Sequence, residues 1–125
     1  MFEQLIAAQH ADPRILPLGR GLTTKLIVGM SQDEWLVSIH DGIIIDVSKG
    51  PFVMASAHFS IMADEEAWIE FMQPIPKPGY HDLMALLRRK RLQVHGNLQP
   101  FMTHLLYFKL LLACLRMSPD EAANI

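Results

Sequence analysis

Six histidines are the residues whose side chains could most readily support catalysis or metal binding. They are His10, His40, His58, His81, His95 and His104. A zinc site would need paired ligands, as in H-E-x-x-H or paired cysteines, and no such spacing occurs. Two of the histidines directly precede an aspartate, but adjacency in sequence does not orient an imidazole toward a carboxylate. We therefore expect surface or capping roles, and a small enzyme using one pocket histidine is the catalytic alternative.

The candidate nucleophiles have little support from their surroundings. Residues 29–33, GMSQD, fall one glycine short of a nucleophile elbow and open no long helix. Cys114, the single cysteine, lies in a strongly apolar stretch, where a thiol is inert. One cysteine also excludes an internal disulfide and fits a reducing compartment. We expect neither enzymatic activity nor a cofactor.

One dense run of charge, Arg88-Arg89-Lys90-Arg91, stands out from the rest of the chain. Such a run could attract a phosphate, a CoA headgroup or an anionic membrane surface. A solvated turn between a helix and a strand is the alternative, and the net charge of −2 favours it. No aromatic residues interleave with the run, so we expect no nucleic-acid partner.

The composition predicts a folded protein with a large apolar core. Of the 125 residues, 50% are hydrophobic and 19% are charged, which excludes a disordered chain. Eight methionines suit either ordinary core filling or a cavity that fits more than one shape. The N-terminus lacks a signal-peptide pattern, and Lys109 interrupts the best candidate for a membrane span. We expect a single domain over residues 1–125 and a cytoplasmic location.

Residues 90–115 carry the strongest structural signal. Alternation over 91–95, with Leu92 and Val94 on one side, predicts a half-buried strand, and Gly96 and Asn97 predict a turn and a helix N-cap. In the helix that follows, apolar residues recur at helical spacing and should share one face: Phe101, Met102, Leu105, Phe108, Leu112 and Leu115. Further apolar residues over 106–114 extend this surface almost all the way round. The helix must be covered by its own sheet, another chain or an apolar ligand.

The chain before residue 90 reads as strands followed by helices. A short helix over 2–9 and an extended connection to residue 21 come first. Strands are predicted over 22–30, 35–40, 43–47 and 54–62, the first three or four forming an antiparallel meander. Helices follow over 63–73, with Trp68, Ile69 and Met72 buried, and over 80–87, and a last helical turn is expected near Ser118. This order predicts an α+β fold: a mainly antiparallel sheet with helices packed on one face.

Residues 56–112 contain, in order, a strand leading to an acidic helix start (HFSIMADEEAW), a second helix, a short strand ending in Gly-Asn (RLQVHGN) and an apolar helix. This order resembles that of the sterol carrier protein 2-like (SCP-2-like) family. The matching positions are Asp64, Glu65, Trp68, Leu92, Val94, Gly96 and Asn97. Lys90 stands where the family usually has glycine, and PIPKPGYHD lengthens the usual connection.

The resemblance implies a five-stranded sheet covered by helices that enclose an apolar tunnel. It also implies binding of a fatty acid, acyl-CoA, sterol, hopanoid or isoprenoid lipid without chemistry. Some bacterial members of the family resemble accessory proteins of isoprenoid-quinone assembly. The partners that we expect are accordingly a hydrophobic small molecule and either a partner enzyme or a second copy in a homodimer, with at most transient contact with a membrane surface.

A pocket for a hydrocarbon chain needs a continuous apolar lining. The expected lining residues are Phe59, Ile61, Trp68, Met72, Leu87, Phe101, Met102, Leu105, Phe108 and Leu112. Arg88, Arg89 and Arg91 would hold a polar headgroup at the mouth. Two alternatives use the same residues: a solid core without a ligand, and an interaction module in which residues 105–115 pair with another subunit.

Overall fold

The computed structural model describes residues 2–30, 33–50 and 57–116, and a five-stranded sheet forms its centre. The strands are β1 (Thr24–Gly29), β2 (Glu34–His40), β3 (Ile43–Lys49), β4 (Phe59–Ala63) and β5 (Leu92–Gly96). Their order in the sheet is β3-β2-β1-β4-β5. Three neighbouring pairs are antiparallel, and β1 pairs with β4 in parallel.

The antiparallel meander includes the first three strands and stops there. A fourth strand of the meander would lie beside β3, but β4 pairs with β1 on the other side of the sheet, with Leu26 opposite Phe59. The fold class is therefore α+β with a mostly antiparallel sheet, as predicted. Positions 54–56 of the predicted fourth strand and the helical turn expected near Ser118 lie outside the described residues.

The helices are short and cover one face of the sheet. After a 3-10 helix at Phe2–Gln4 they are α1 (Leu5–Ala8), α2 (Ile15–Leu18), α3 (Glu65–Phe71), α4 (Leu83–Arg88), α5 (Gln99–Thr103) and α6 (Leu105–Ala113). The prediction of an extended connection up to residue 21 is wrong, because α2 forms there. Its anchor is Ile15, which is completely buried. Pro17 sits in the first turn, where its missing N–H costs no helical hydrogen bond.

Alternation along the strands separates the two faces of the sheet. Leu26 and Val28 of β1 and Val37 and Ile39 of β2 point toward the helices and are buried. Lys25, which precedes Leu26 and pairs with Ser38, is exposed on the opposite face. The buried residues of strands and helices form one continuous apolar core.

The edge strand β3 is held by a side chain from the N-terminal helices. Gln9 follows α1 and is only 2% exposed. Its Oε1 accepts a hydrogen bond from the Ile44 N–H at 2.8 Å, and its Nε2 donates to the Ile44 carbonyl at 3.3 Å. Gln9 thereby occupies both backbone groups that Ile44 would otherwise offer to another strand.

The long C-terminal helix that the sequence predicts is broken in two at His104. This residue has φ −115° and ψ 35°, so it ends α5 and precedes α6. The break changes which side chains face the sheet, and the prediction that Met102 shares the buried face is wrong, since it is 53% exposed. Asn97 was expected as the N-cap, and its Oδ1 does accept a hydrogen bond from the Gln99 N–H at 3.2 Å, although Leu98 stands between it and the first residue of α5.

Helix α3 begins as its acidic start predicts. Asp64 is the N-cap, and its Oδ1 accepts a hydrogen bond from the Ala67 N–H at 2.8 Å. Trp68 and Met72 are buried as expected. Ile69 is 44% exposed, so its assignment to the buried face is wrong.

A candidate apolar ligand site between the sheet and α6

The centre of the core contains a small void beneath α6. Its volume is about 10 Å³, which is close to the minimum that holds one water molecule. Its lining consists entirely of apolar side chains from α1, β1, β2, β4 and α6: Leu5, Leu26, Val28, Val37, Ile39, Ile61, Phe108, Leu111 and Leu112. An apolar lining of this kind offers no hydrogen-bond partner to water and favours hydrocarbon.

An aromatic cluster closes the void on the side of α5. The ring of Phe108 lies 5.7 Å from Phe59, 5.7 Å from Phe101 and 5.2 Å from Tyr107, measured between centroids. The Tyr107 hydroxyl donates to the Gly42 carbonyl at 2.9 Å and ties α6 to the turn between β2 and β3. Burial raises the pKa of Tyr107 to about 12, so this hydroxyl remains a donor at neutral pH.

A second aromatic cluster fills the space on the side of α3. Phe2 packs edge-on against Trp35 at 5.2 Å and against Trp68 at 5.1 Å, and Trp68 packs against Phe71 at 5.9 Å. The indole Nε1 of Trp68 donates to the Gly29 carbonyl at 2.9 Å. This hydrogen bond fixes the ring in the core.

The expected lining residues fall into three groups in the structure. Ile61, Phe108 and Leu112 line the void. Phe59 and Phe101 do not line it but pack against the Phe108 ring. The second group is buried or half-buried away from the void: Trp68, Met72, Leu87 and Leu105. Met102 alone of the ten is exposed to solvent.

Six of the nine lining residues were not assigned to the site from the sequence. Strand alternation does identify Leu26, Val28, Val37 and Ile39 as inward-facing. What the sequence lacks is a signal for which helix covers them, and Leu5 enters the site only because the N-terminal segment packs beside α6.

The described interior does not contain the tunnel that the resemblance implies. Side chains from the sheet and the helices touch one another, and the void of about 10 Å³ is far smaller than the roughly 300 Å³ of a typical small-molecule pocket. The structure therefore does not confirm the expectation of an open channel. A bound hydrocarbon chain would require the helices to move away from the sheet.

The predicted headgroup residues lie near the start of β5, and none of them lines the void. Arg91 is engaged by acidic side chains: its Nη2 lies 3.1 Å from Asp64 Oδ1 and 3.7 Å from Glu66 Oε2. Arg88 and Arg89 are exposed. The structure thus does not bring these arginines together with the apolar lining.

The described residues contain no group of three or more histidine, cysteine, aspartate or glutamate side chains that could hold a metal ion. None of the helices described is long and apolar enough to cross a bilayer. Cys114 is half-buried, and burial raises the pKa of its thiol, which lowers its reactivity. His104, at the helix break, does not line the void.

Solved structures with this fold provide the comparison with known proteins. No sequence-family model and no curated relative matches the chain. Sterol carrier protein 2 superposes with a TM-score of 0.72 at 14% identity, over 90% of this chain and 90% of that one. A candidate sterol carrier protein from Thermus thermophilus gives 0.66 at 13% identity, over 94% and 87%. The ubiquinone synthesis protein UbiJ-SCP2 gives 0.58 at 19% identity, over 94% and 90%. The chain therefore has an SCP-2-like fold.

Proposed function

We propose that residues 1–125 form a single non-catalytic domain that binds a hydrophobic ligand between the sheet and α6 and presents it to a partner. One observation supports this proposal above all: an SCP-2-like fold whose central void is lined by apolar side chains alone. The ligand classes that suit such a lining are fatty acids, acyl-CoA, sterols or hopanoids, and isoprenoid lipids. The absence of a second cysteine agrees with a cytoplasmic site of action.

Ligand entry requires the core to expand, and α6 is the element that we expect to move. Binding would then be driven by burial of apolar area, at roughly 25 cal/mol per Å² before ordering costs. In the described core, the side chains that would contact the ligand contact each other, so they would have to separate to admit it. Ile61, Phe108 and Leu112 would contact the ligand first, and Phe59 and Phe101 would follow as the cluster separates.

A polar headgroup on the ligand would remain outside the apolar core. Arg88 and Arg89 are free to contact an anionic group, whereas Arg91 would first have to leave Asp64 and Glu66. Replacing Arg88 and Arg89 with serine should weaken binding of a fatty acid and leave a neutral sterol unaffected. Equal losses for both ligands would rule out the headgroup role.

The test of the proposed function combines extraction with binding by matched variants. Organic extraction of the purified protein, followed by mass spectrometry, should recover a lipid in stoichiometric amount. Leu112→Ala, at the void, should change the affinity for a fluorescent acyl probe severalfold, and Leu106→Ala, on the exposed side of the same helix, should not. Absence of both a co-purified lipid and saturable probe binding would refute the proposal.

A second candidate function is that of an interaction module, and three exposed apolar side chains favour it. Leu98, Met102 and Leu106 are 43%, 53% and 54% exposed near and along the C-terminal helices. They could contact a biosynthetic enzyme, as expected of an accessory protein, or a second copy. Light scattering and native mass spectrometry of the wild type and of Leu106→Asp distinguish the cases: a ligand-free oligomer that the substitution dissociates would support the interaction module.

A further inference from the structure

The loop that follows α3 exposes an isoleucine in an unusual way. Ile75 is 90% exposed and lies between Pro74 and Pro76. Each proline fixes its own φ, so the loop is stiff and has little entropy left to lose on binding. The Lys77 N–H donates to Glu70 Oε1 at 3.0 Å, which secures the loop to the last turn of α3. An apolar side chain held outward on a stiff loop indicates a contact surface.

Exposed cations lie beside this loop and are joined to it through Tyr80. Lys77 Nζ lies 4.8 Å from the centre of the Tyr80 ring, and the Arg89 guanidinium lies 5.9 Å from the same ring. The loop and the basic turn are also in close contact, because a Cβ added at Gly79 would overlap the Arg89 guanidinium. Arg88 and Lys90 flank Arg89 and are likewise exposed.

The nearby acidic side chains offset these cations only in part. Asp64 and Glu66 share Arg91, and Asp82 pairs with Lys109 at 3.4 Å. Glu70 accepts the Lys77 backbone N–H and keeps its negative charge beside the loop, and Glu65 lies about 7 Å along the helix axis from Glu70. Within the described residues, Lys77 and the three cations at 88–90 form no ion pair. The cations at 77 and 88–91 outnumber the carboxylates at 64–66 and 70, so the surface around Ile75 carries a small net positive charge.

We propose that residues 74–79 and 88–90 together form a docking face for an anionic lipid bilayer. Ile75 enters the acyl region, while Lys77, Arg88, Arg89 and Lys90 contact lipid phosphates. A bilayer fits better than a nucleic acid because an aliphatic side chain offers no ring on which a base can stack. This inference extends beyond the ligand site beneath α6: it shares Arg88 and Arg89 with the proposed headgroup contact, but it requires no ligand in the core.

Vesicle co-sedimentation of the full chain tests the docking face. The probes are phosphatidylcholine vesicles with and without phosphatidylglycerol, at low and at high salt. We expect binding to the anionic vesicles that salt weakens, and at most weak binding to pure phosphatidylcholine. R88Q/K90Q should lower the partition coefficient about thirtyfold, since each cation near an anionic surface contributes about fivefold.

Matched variants separate the docking face from general charge and hydrophobicity. R20Q/K25Q removes two exposed cations elsewhere and should leave a larger share of binding than R88Q/K90Q. Ile75→Ser should reduce partition about tenfold or more, whereas Ile45→Ser, at a residue 63% exposed on β3, should not. Unchanged thermal melting of each variant shows that the fold is intact.

Several results would overturn the inference. These are no binding to anionic vesicles, equal loss from both double variants, or full binding by Ile75→Ser. The inference would also be overturned if R88Q/K90Q no longer bound a soluble polyanion such as heparin but bound vesicles as well as the wild type does. The cations would then serve a different partner.

Discussion

Lys90 has φ 60°, a left-handed conformation that glycine adopts without strain and lysine does not. It follows the cap residue of α4, where the Lys90 N–H donates to the Leu87 carbonyl at 3.0 Å and the Arg91 N–H to the Leu86 carbonyl at 3.0 Å. These two hydrogen bonds form a Schellman motif, whose left-handed position is usually glycine. The geometry explains why a glycine is common here in the family that the sequence resembles.

Replacing Lys90 with glycine should stabilise the protein. The gain from relieving the left-handed strain is about 1–2 kcal/mol, reduced by the extra entropy of glycine in the unfolded chain, so a net gain of about 0.5–1 kcal/mol is expected. Denaturant unfolding measures this difference. Lys90→Ala is the control, since it removes the charge and keeps the strain. If alanine stabilised as much as glycine, charge repulsion along 88–91 would be the cause instead.

Tyr107 should make stability sensitive to alkaline pH. Its pKa is raised by burial from 10.0 to about 12, so the unfolded chain loses this proton at lower pH than the folded chain does. The stability that neutral Tyr107 contributes to the folded chain is fully present below about pH 10 and is lost as the pH rises to about 12. Tyr107→Phe should cost about 1 kcal/mol at neutral pH, because the Gly42 carbonyl loses its donor. Unfolding free energies across this range should show the gap between the two proteins closing and then reversing, and a constant gap would contradict the assignment.

At the scale of elements, Gln9 protects the edge strand β3 from pairing with a strand of another molecule. Gln9→Ala leaves the Ile44 N–H and carbonyl without their side-chain partners, at an expected cost of about 1–3 kcal/mol. Gln4→Ala, at an exposed position near the same helices, should have little effect. Denaturant unfolding measures both costs, and size-exclusion chromatography should show self-association in the Gln9 variant alone. Equal stability of the two variants would mean that Gln9 does not hold the edge.

The sequence predicts those elements whose hydrophobic period is uniform and fails where tertiary contacts decide. Strands β1 and β5 follow from alternation, β2 and β3 follow from two apolar runs that flank the hairpin signal Asp41-Gly42, and Asp64 follows from its capping chemistry. The parallel pairing of β1 with β4 has no local signal, since it depends on where the chain returns to the sheet. The break at His104 has none either, because the apolar pattern continues through it, and Met102 was misassigned for that reason.

The candidate site was predictable in part for the same reason. Phe108 and Leu112 follow from helical spacing, and Ile61 from the alternation of β4. Leu5 could not be assigned, because only the packing of the N-terminal segment against α6 brings it to the void. The volume of the void also has no sequence signal: apolar residues in the same positions can either fill a core or line a pocket, depending on fractions of an ångström in helix position.

For the whole molecule, the filled interior and the proposed ligand are compatible only if one layer moves. The sheet is continuous through backbone hydrogen bonds, whereas α6 is joined to its surroundings by packing and a few side-chain contacts, including Tyr107 with Gly42 and Lys109 with Asp82. Separation of α6 from the sheet therefore breaks no backbone ladder. Opening of this kind would resemble the local unfolding that many proteins undergo below their global stability.

Restraining α6 should therefore slow ligand uptake. Ala11 and Cys114 line the same surface depression between the N-terminal segment and the end of α6. Ala11→Cys therefore permits a short bis-maleimide to bridge the two cysteines, at a mildly alkaline pH because burial raises the pKa of the Cys114 thiol. The bridged protein should take up a fluorescent acyl probe at least several times more slowly than the same variant carrying two separate maleimides. Both proteins have the same two cysteines modified, so the restraint on α6 is the only difference between them. Stopped-flow fluorescence measures both rates, and intact-protein mass spectrometry verifies the bridge. Equal rates would show that the ligand does not enter by displacement of α6, and the opening would then have to lie on the side of α3 and α4, where the Trp68 cluster packs against the sheet.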